Sequence, residues 1–270
     1  MRGVQPVGVD RPVGELLRHW REHRRLSQLD LAGLSEVSAR HVSFVETGRA
    51  KPSRAMVLRL SETLDVPLRE RNRLLLAGGF APAYAETAVT SPRMAGVWQA
   101  VRQVLAGHEP YPAVVVDGRW QLLDGNAALG LMTALCAPHL LEPPANVLRA
   151  SLHPEGLAPY IANLGEWRAH LLTRLRRQAA VTADPELLAL HEELRAYPCD
   201  EHEPEIESPG AADVVAPLRL RHPAGELTFF STIATFGTPA DITVAELAIE
   251  SFFPADPHTA DVLRALHTAR

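Results

Sequence analysis

The stretch LSQLDLAGLSEVSARHVSFVETGRAKPSR, residues 26 to 54, carries polar side chains in a spacing that suits recognition of a nucleic acid. A helix capped by Ser38 and ending near Thr47 puts Val42 and Val45 on one face with Val37. It turns Ala39, Arg40, Ser43, Phe44 and Thr47 to the other. Arg40 can bridge O6 and N7 of a guanine, and Phe44 can touch a thymine methyl. Gln28 opens the preceding helix, where free backbone N–H groups favour a phosphate. Arg49, Lys51 and Arg54 follow the outward helix closely enough to clamp phosphates. The residues expected to meet DNA are therefore Gln28, Ser38, Ala39, Arg40, Ser43, Phe44, Arg49, Lys51 and Arg54, with His41 at the helix edge. A solvated face on a plain helical bundle is the competing reading.

Catalytic signatures do not appear. The chain has no GxSxG, GxGxxG, P-loop or HExxH. His191-Glu192-Glu193 has no second histidine one helical turn on, so it cannot present two metal ligands on one face. The CDEHEPE stretch could hold a metal through His202 and its carboxylates, but it reads better as a solvated acidic loop. No enzyme, metal site or catalytic residue is expected.

These residues need short helices to position them, and the sequence supplies five. Pro12 to Arg24 has Leu16, Leu17 and Trp20 at helical spacing. Ser27 caps Gln28–Leu34, with Asp30 placed for a capping box. Gly48 stops the third helix. Pro52-Ser53 opens a fourth through Leu64, and Val66-Pro67 a fifth ending at Gly78-Gly79. Two helices with so little chain between them, the second turning polar groups outward, make a helix-turn-helix. The predicted organisation is an all-α five-helix DNA-binding head at 10–79, a linker over 80–91 rich in Gly, Pro and Ala, and a body at 92–270.

In the body, a helix at Met94–Leu105 precedes two apolar runs about Asp117-Gly118, a two-residue hairpin signal. Asn126 caps a helix. Helices over Ala145–Leu152, Leu157–Ala180 and Pro185–Ala196 follow, then an acidic loop at 199–210. Three strands close the chain: Val214–Arg221, Glu226–Phe236 across the turn His222–Gly225, and Thr243–Phe253. The pattern is α+β about a five-stranded antiparallel sheet.

Charge separates the two parts. Residues 1–76 carry 14 Lys+Arg against 9 Asp+Glu, and residues 77–270 carry 13 against 23, within a net charge of −5. A basic head meets an anion, and an acidic body does not. One Lys against 26 Arg reflects a GC-rich genome more than chemistry. The two cysteines make neither a disulfide framework nor a metal set. No apolar run reaches the ~18 residues of a membrane span, and the N-terminus lacks the apolar core of a signal peptide. A cytoplasmic protein with no membrane partner is expected.

The head resembles the Cro/repressor-type (xenobiotic-response-element) helix-turn-helix family at Leu26-Ser27-Gln28, Leu31-Ala32, Val37-Ser38, Val42, Val45-Glu46, Gly48 and Pro52. That resemblance implies that Glu46 pairs with Arg21. The whole chain is closer to the MmyB-like transcription regulators, through HEPYPAVVVDGRW, NVLRASLHPEGL, GELTFFSTIATFGTP and AELAIESFFPAD. This implies a PAS-like body that binds a small apolar ligand, a fatty acid being the family's example. One small head alone rarely gives tight operator affinity, so a homodimer held at least partly by the body, on an inverted-repeat operator, is expected. Asp124-Gly125 departs from the small apolar residues usual before Asn126. A carboxylate ligand needs a cation or hydroxyl at the end of its pocket, and Arg149, His153 and Arg168 are the candidates. Trp120, Phe229 and Phe236 complete the expected ligand-binding set, although Trp120 and Trp167 suit a core better than a ligand platform. The alternative is a constitutive DNA-binding protein whose body only dimerises or binds proteins.

Overall fold

A computed structural model describes residues 11–204 and 216–269, which form two compact units. The first spans the chain to Thr87 and takes in Pro239–Ala245; the second comprises Ala88–Thr238 and Glu246 onward.

The first unit is built from α1 (Val13–His23), α2 (Gln28–Ser35), α3 (Ala39–Glu46), α4 (Arg54–Thr63) and α5 (Leu68–Ala77). Each is too short to be stable alone in water and depends on burying one face. Leu17, Leu31, Val45, Val57, Leu60 and Leu75 meet in a core where none is more than 1% exposed. The ends carry the caps their sequences promise. Ser27 and Asp30 close a reciprocal capping box on α2, and Ser38 and Ser53 accept from the backbone N–H groups of His41 and Met56. Past α5, Asn72 holds Ala83 and Tyr84 through three hydrogen bonds. Asp241 accepts from the Thr87 hydroxyl at 2.7 Å. The chain that reads as a short linker is thus held down as far as Thr87.

The second unit is α+β. Its elements in chain order are α6 (Ala95–His108), β1 (Ala113–Val116), β2 (Leu122–Gly125), α7 (Gly130–Thr133), α8 (Val147–Leu152), α9 (Leu164–Thr182), α10 (Pro185–Arg195), β3 (Leu218–His222), β4 (Gly225–Thr235), β5 (Ala248–Pro254) and α12 (Pro257–Thr268); α11 (Ile242–Glu246), between β4 and β5 in sequence, falls almost wholly in the segment that the first unit takes in. The five strands form one sheet in the order β2-β1-β5-β4-β3, each pair antiparallel. On α9, Trp167, Leu171 and Leu175 recur every fourth residue and bury one stripe in the core with Leu218, Leu227 and Phe229.

Four expectations are corrected. The connection after β1 is not a two-residue hairpin: five residues, Asp117 to Gln121, separate the strands, and Asp117 Oδ1 accepts from the Arg119 and Gln121 N–H groups. The helix expected over Leu157–Ala180 breaks, because extended Ile161 bridges Leu220 at the edge of β3, and α9 starts only at Leu164. Residues 243–246 are helical rather than strand, since Asp241 caps the Thr243 and Val244 N–H groups. The third strand begins at Leu218, and the expected start at Val214, with the end of the acidic loop, lies outside the described residues.

Candidate nucleic-acid interface and ligand cavity

On the first unit, the backbone between α2 and α3 turns at Glu36, whose φ of +53° ends α2 and lets Ser38 begin α3. Val42 and Val45 are buried, and the opposite face is open as the sequence predicts. Arg40 is exposed, with its guanidinium 5.2 Å from the centre of the Phe44 ring. That contact holds the two outward side chains as a pair. Ala39, Ser43 and Phe44 are half-buried, while Ser38, Thr47, Arg49, Lys51 and Arg54 are exposed. Gly48 adopts a φ of +73°, which an L side chain rarely takes, and so turns the chain to carry Arg49 and Lys51 past the end of α3.

A buried network anchors this face. Arg21 Nε donates to Glu46 Oε1 at 2.6 Å and Nη2 to Oε2 at 2.9 Å, a two-pronged pair 9% and 2% exposed. Arg21 Nη1 donates to the Leu26 carbonyl at 2.7 Å. Donating to the Glu46 carboxylate holds the Arg21 guanidinium above its ordinary proton affinity. Gln28 belongs to the same network: its amide nitrogen donates to Glu46 Oε2 at 2.8 Å. One of its two N–H groups is therefore committed inside the protein. Sequence reasoning placed Gln28 at the interface but not in this brace.

In the second unit, a cavity of about 70 Å³ lies between the sheet and α7, α8 and α9. On the scale where one water needs ~10–15 Å³ it has room for several. Leu129, Leu141, Leu148, Leu171, Trp167 and Phe252 supply much of its wall. The charged residues in the lining are Arg174 of α9 and Glu250 of β5, joined Nη1 to Oε1 at 2.9 Å. Arg174 also lies over the Trp120 ring, 4.3 Å from its centre. Nearby His170 stacks on Trp167, and burial, with the Arg174 charge second, lowers its proton affinity.

The six residues expected to bind ligand lie outside that lining. Arg149 makes a two-pronged ion pair with Glu193, at 2.7 and 2.8 Å. Arg168 is tied to Glu203 and to the Arg195 carbonyl. His153 packs edge-on against His139 and Tyr197. Trp120 is buried in the core, donating to Gln178 at 2.6 Å. Phe229 is fully buried against Phe252, and Phe236 lies just past β4. Periodicity singled out cationic or polar residues near apolar stripes, and the two arginines among them proved to have acidic or carbonyl partners from α10 and the chain beyond it. The pair that does line the cavity had a signal: Arg174 is two turns from Trp167, and Glu250 is an acid inside the apolar run AIESFFP.

His139, His153 and Glu155 bring three potential ligand atoms within 4.8 Å of one another. His153 Nδ1 already accepts the Glu155 backbone N–H, which puts the proton of a neutral ring on Nε2, the nitrogen a metal would need.

Comparisons with known proteins agree with this division. Residues 12–74 match the family model of a helix-turn-helix domain. Residues 97–266 match that of the MmyB-like transcription regulator ligand binding domain. Comparison with curated proteins found no match. Among solved structures the chain is similar to an RNA-binding Light-Oxygen-Voltage receptor, at 13% identity and a TM-score of 0.30, over 94% of this chain and 61% of that one.

Proposed function

The chain belongs to the MmyB-like transcription regulators, and from that premise we propose that an apolar small molecule, held in the cavity of the second unit, sets how tightly the first unit binds a specific DNA operator. Both matched families are regulatory modules, one for DNA and one for ligand. The observation that carries the reading is the apolar cavity closed by one charged pair, in the same chain as an outward-facing Arg40 and Phe44. A fatty acid is the ligand that the family resemblance supplies. A ligand shifts DNA affinity only if it favours one arrangement of the protein over another. The chain itself links the units at three points, after Thr87, Thr238 and Ala245.

A single helix-turn-helix buries too little surface for the affinity a regulator needs. We therefore assign a homodimer on an inverted repeat, with half-sites about 34 Å apart. The test is lipid extraction of the purified protein followed by mass spectrometry, with sedimentation on operator DNA. A stoichiometric apolar molecule and a dimer on the repeat support the reading. A protein that carries none, binds none added, and holds DNA unchanged is a constitutive binder with a dimerising body.

A further inference from the structure

We propose that the open edge of β4, residues 231–235, pairs with the same edge of a second copy and so forms the dimer contact of the second unit. This rests on the protein being a homodimer. β4 is the longest strand of the sheet, and β3 reaches only part of it. β3 pairs with residues 225–229 of β4, and β5 with residues 229–235. Ala216 and Pro217, just before β3, belong to no strand. Over residues 230–235, the side of β4 away from β5 therefore faces no strand among the described residues.

Backbone direction decides which groups that side presents. The Thr228 carbonyl accepts from the Ala255 N–H just past β5, so residue 228 faces β5. Successive residues of an antiparallel strand turn their N–H and C=O to opposite sides. Ser231, Ile233 and Thr235 thus turn theirs outward, donors and acceptors in one row. The β3 end agrees. Arg219 gives its carbonyl and N–H to Ala162 and Asn163, away from β4, which leaves Leu218 and Leu220 facing Phe229 and Leu227.

The outer strands of the sheet are not left open in this way. Ala162 and Asn163 lie along β3 by those bonds, and the Ala145 carbonyl accepts from Leu122 of β2 at 2.7 Å. β3 also carries Arg219 and Arg221, exposed charges of the kind that keep an edge single. Nothing comparable guards β4. Residues 230–235 hold no charge and no proline, and Thr232, Ile233, Ala234 and Thr235 are exposed.

The edge is complementary to itself. A two-fold axis at Ile233 sets that residue opposite its own copy, and Ser231 opposite Thr235. These are the outward-turned residues, so each opposed pair exchanges two hydrogen bonds and no group in the row is left over. Side chains match as well: Ile233, 42% exposed, meets Ile233, and Thr232 meets Ala234, with no like charges opposed. A contact that uses one patch on both copies closes at two. The inverted repeat expected of the operator asks for that same symmetry.

The experiment is disulfide trapping in the full-length protein, in a Cys136→Ser, Cys199→Ser background. Opposed residues of a hydrogen-bonded pair stand about 5.5 Å apart at Cα, inside the disulfide range. Thr232 lies diagonal to its own copy at about 7–8 Å, outside that range. Oxidation is expected to give a covalent dimer with Ile233→Cys and none with Thr232→Cys. Independently, Ile233→Lys brings two ammonium groups together at the axis. It should raise the dimer dissociation constant in sedimentation equilibrium at least about tenfold, with an unchanged circular-dichroism spectrum. No trapped Ile233→Cys dimer, equal trapping of both cysteines, or an Ile233→Lys protein that sediments as wild type does overturns the edge contact. The homodimer then stands if wild type still sediments as one. A wild type that stays monomeric at every concentration overturns the homodimer as well.

Discussion

Arg40 and Glu46 stand six positions apart on α3 and have opposite duties. Arg40 is exposed beside Phe44, so its truncation should leave the fold intact. Arg40→Ala is expected to relax base preference at one position per half-site, at ~1–3 kcal/mol. Binding measured across operators substituted at each position checks this. Arg49→Ala and Lys51→Ala should instead weaken every sequence alike, each lowering the salt slope by about one for the phosphate it no longer neutralises. Glu46→Ala belongs to the fold. It strands Arg21 and removes the acceptor of Gln28, and loss of one partner from so buried a pair costs ~3–5 kcal/mol. Chemical denaturation should show the loss even without DNA. The outward face of α3 was legible because a 3.6-residue period with two valines fixes it. The brace was not: a glutamine at a helix start looks the same whether it faces a phosphate or a glutamate 18 residues on, and only the family resemblance pointed to the Arg21–Glu46 pair.

Between elements, one glycine sets how closely helices pack. A Cβ on Gly14 would lie 2.1 Å from the Val45 carbonyl oxygen, so α1 and α3 touch through backbone. Gly14→Ala must push them apart, an overpacking worth ~1–3 kcal/mol. Melting temperature and operator affinity should fall together. The second unit offers a pH prediction on α9. Burial holds His170 below its ordinary value of ~6.5. As pH falls through that value the unfolded chain takes up a proton that the folded one refuses, so stability declines. His170→Gln should flatten the thermal stability of the full chain between pH 7.5 and 5.5. Glu193, held low first by its bond to Arg149, acts in a more acidic window: its contribution is present above the ordinary carboxylate range and lost below it. Strand and helix order was legible here because the periods change plainly along the chain. Breaks imposed by partners were not. Nothing local marks Ile161 as the residue that pairs with Leu220 and interrupts a helix. Asp241 was legible in principle, an Asp just before Thr243 and Val244, but an apolar run hides a one-turn helix.

At the scale of the whole molecule, the proposed function requires that an apolar ligand in one unit alter DNA binding by the other. The basic head and acidic body were visible in the charge count, and the family models fall on the same two parts. The cavity could not be read from pattern, since its wall is assembled from α7, α8, α9 and the strands β1, β2, β3 and β5, which are far apart in sequence. The most direct test is the operator affinity of the full-length protein, stripped of lipid, titrated with and without a saturating fatty acid at fixed salt. Coupling free energies between sites are typically 1–3 kcal/mol, so a change in Kd of roughly 5- to 150-fold is expected. A ligand that binds the protein stoichiometrically and leaves operator Kd unchanged would contradict ligand control of DNA binding.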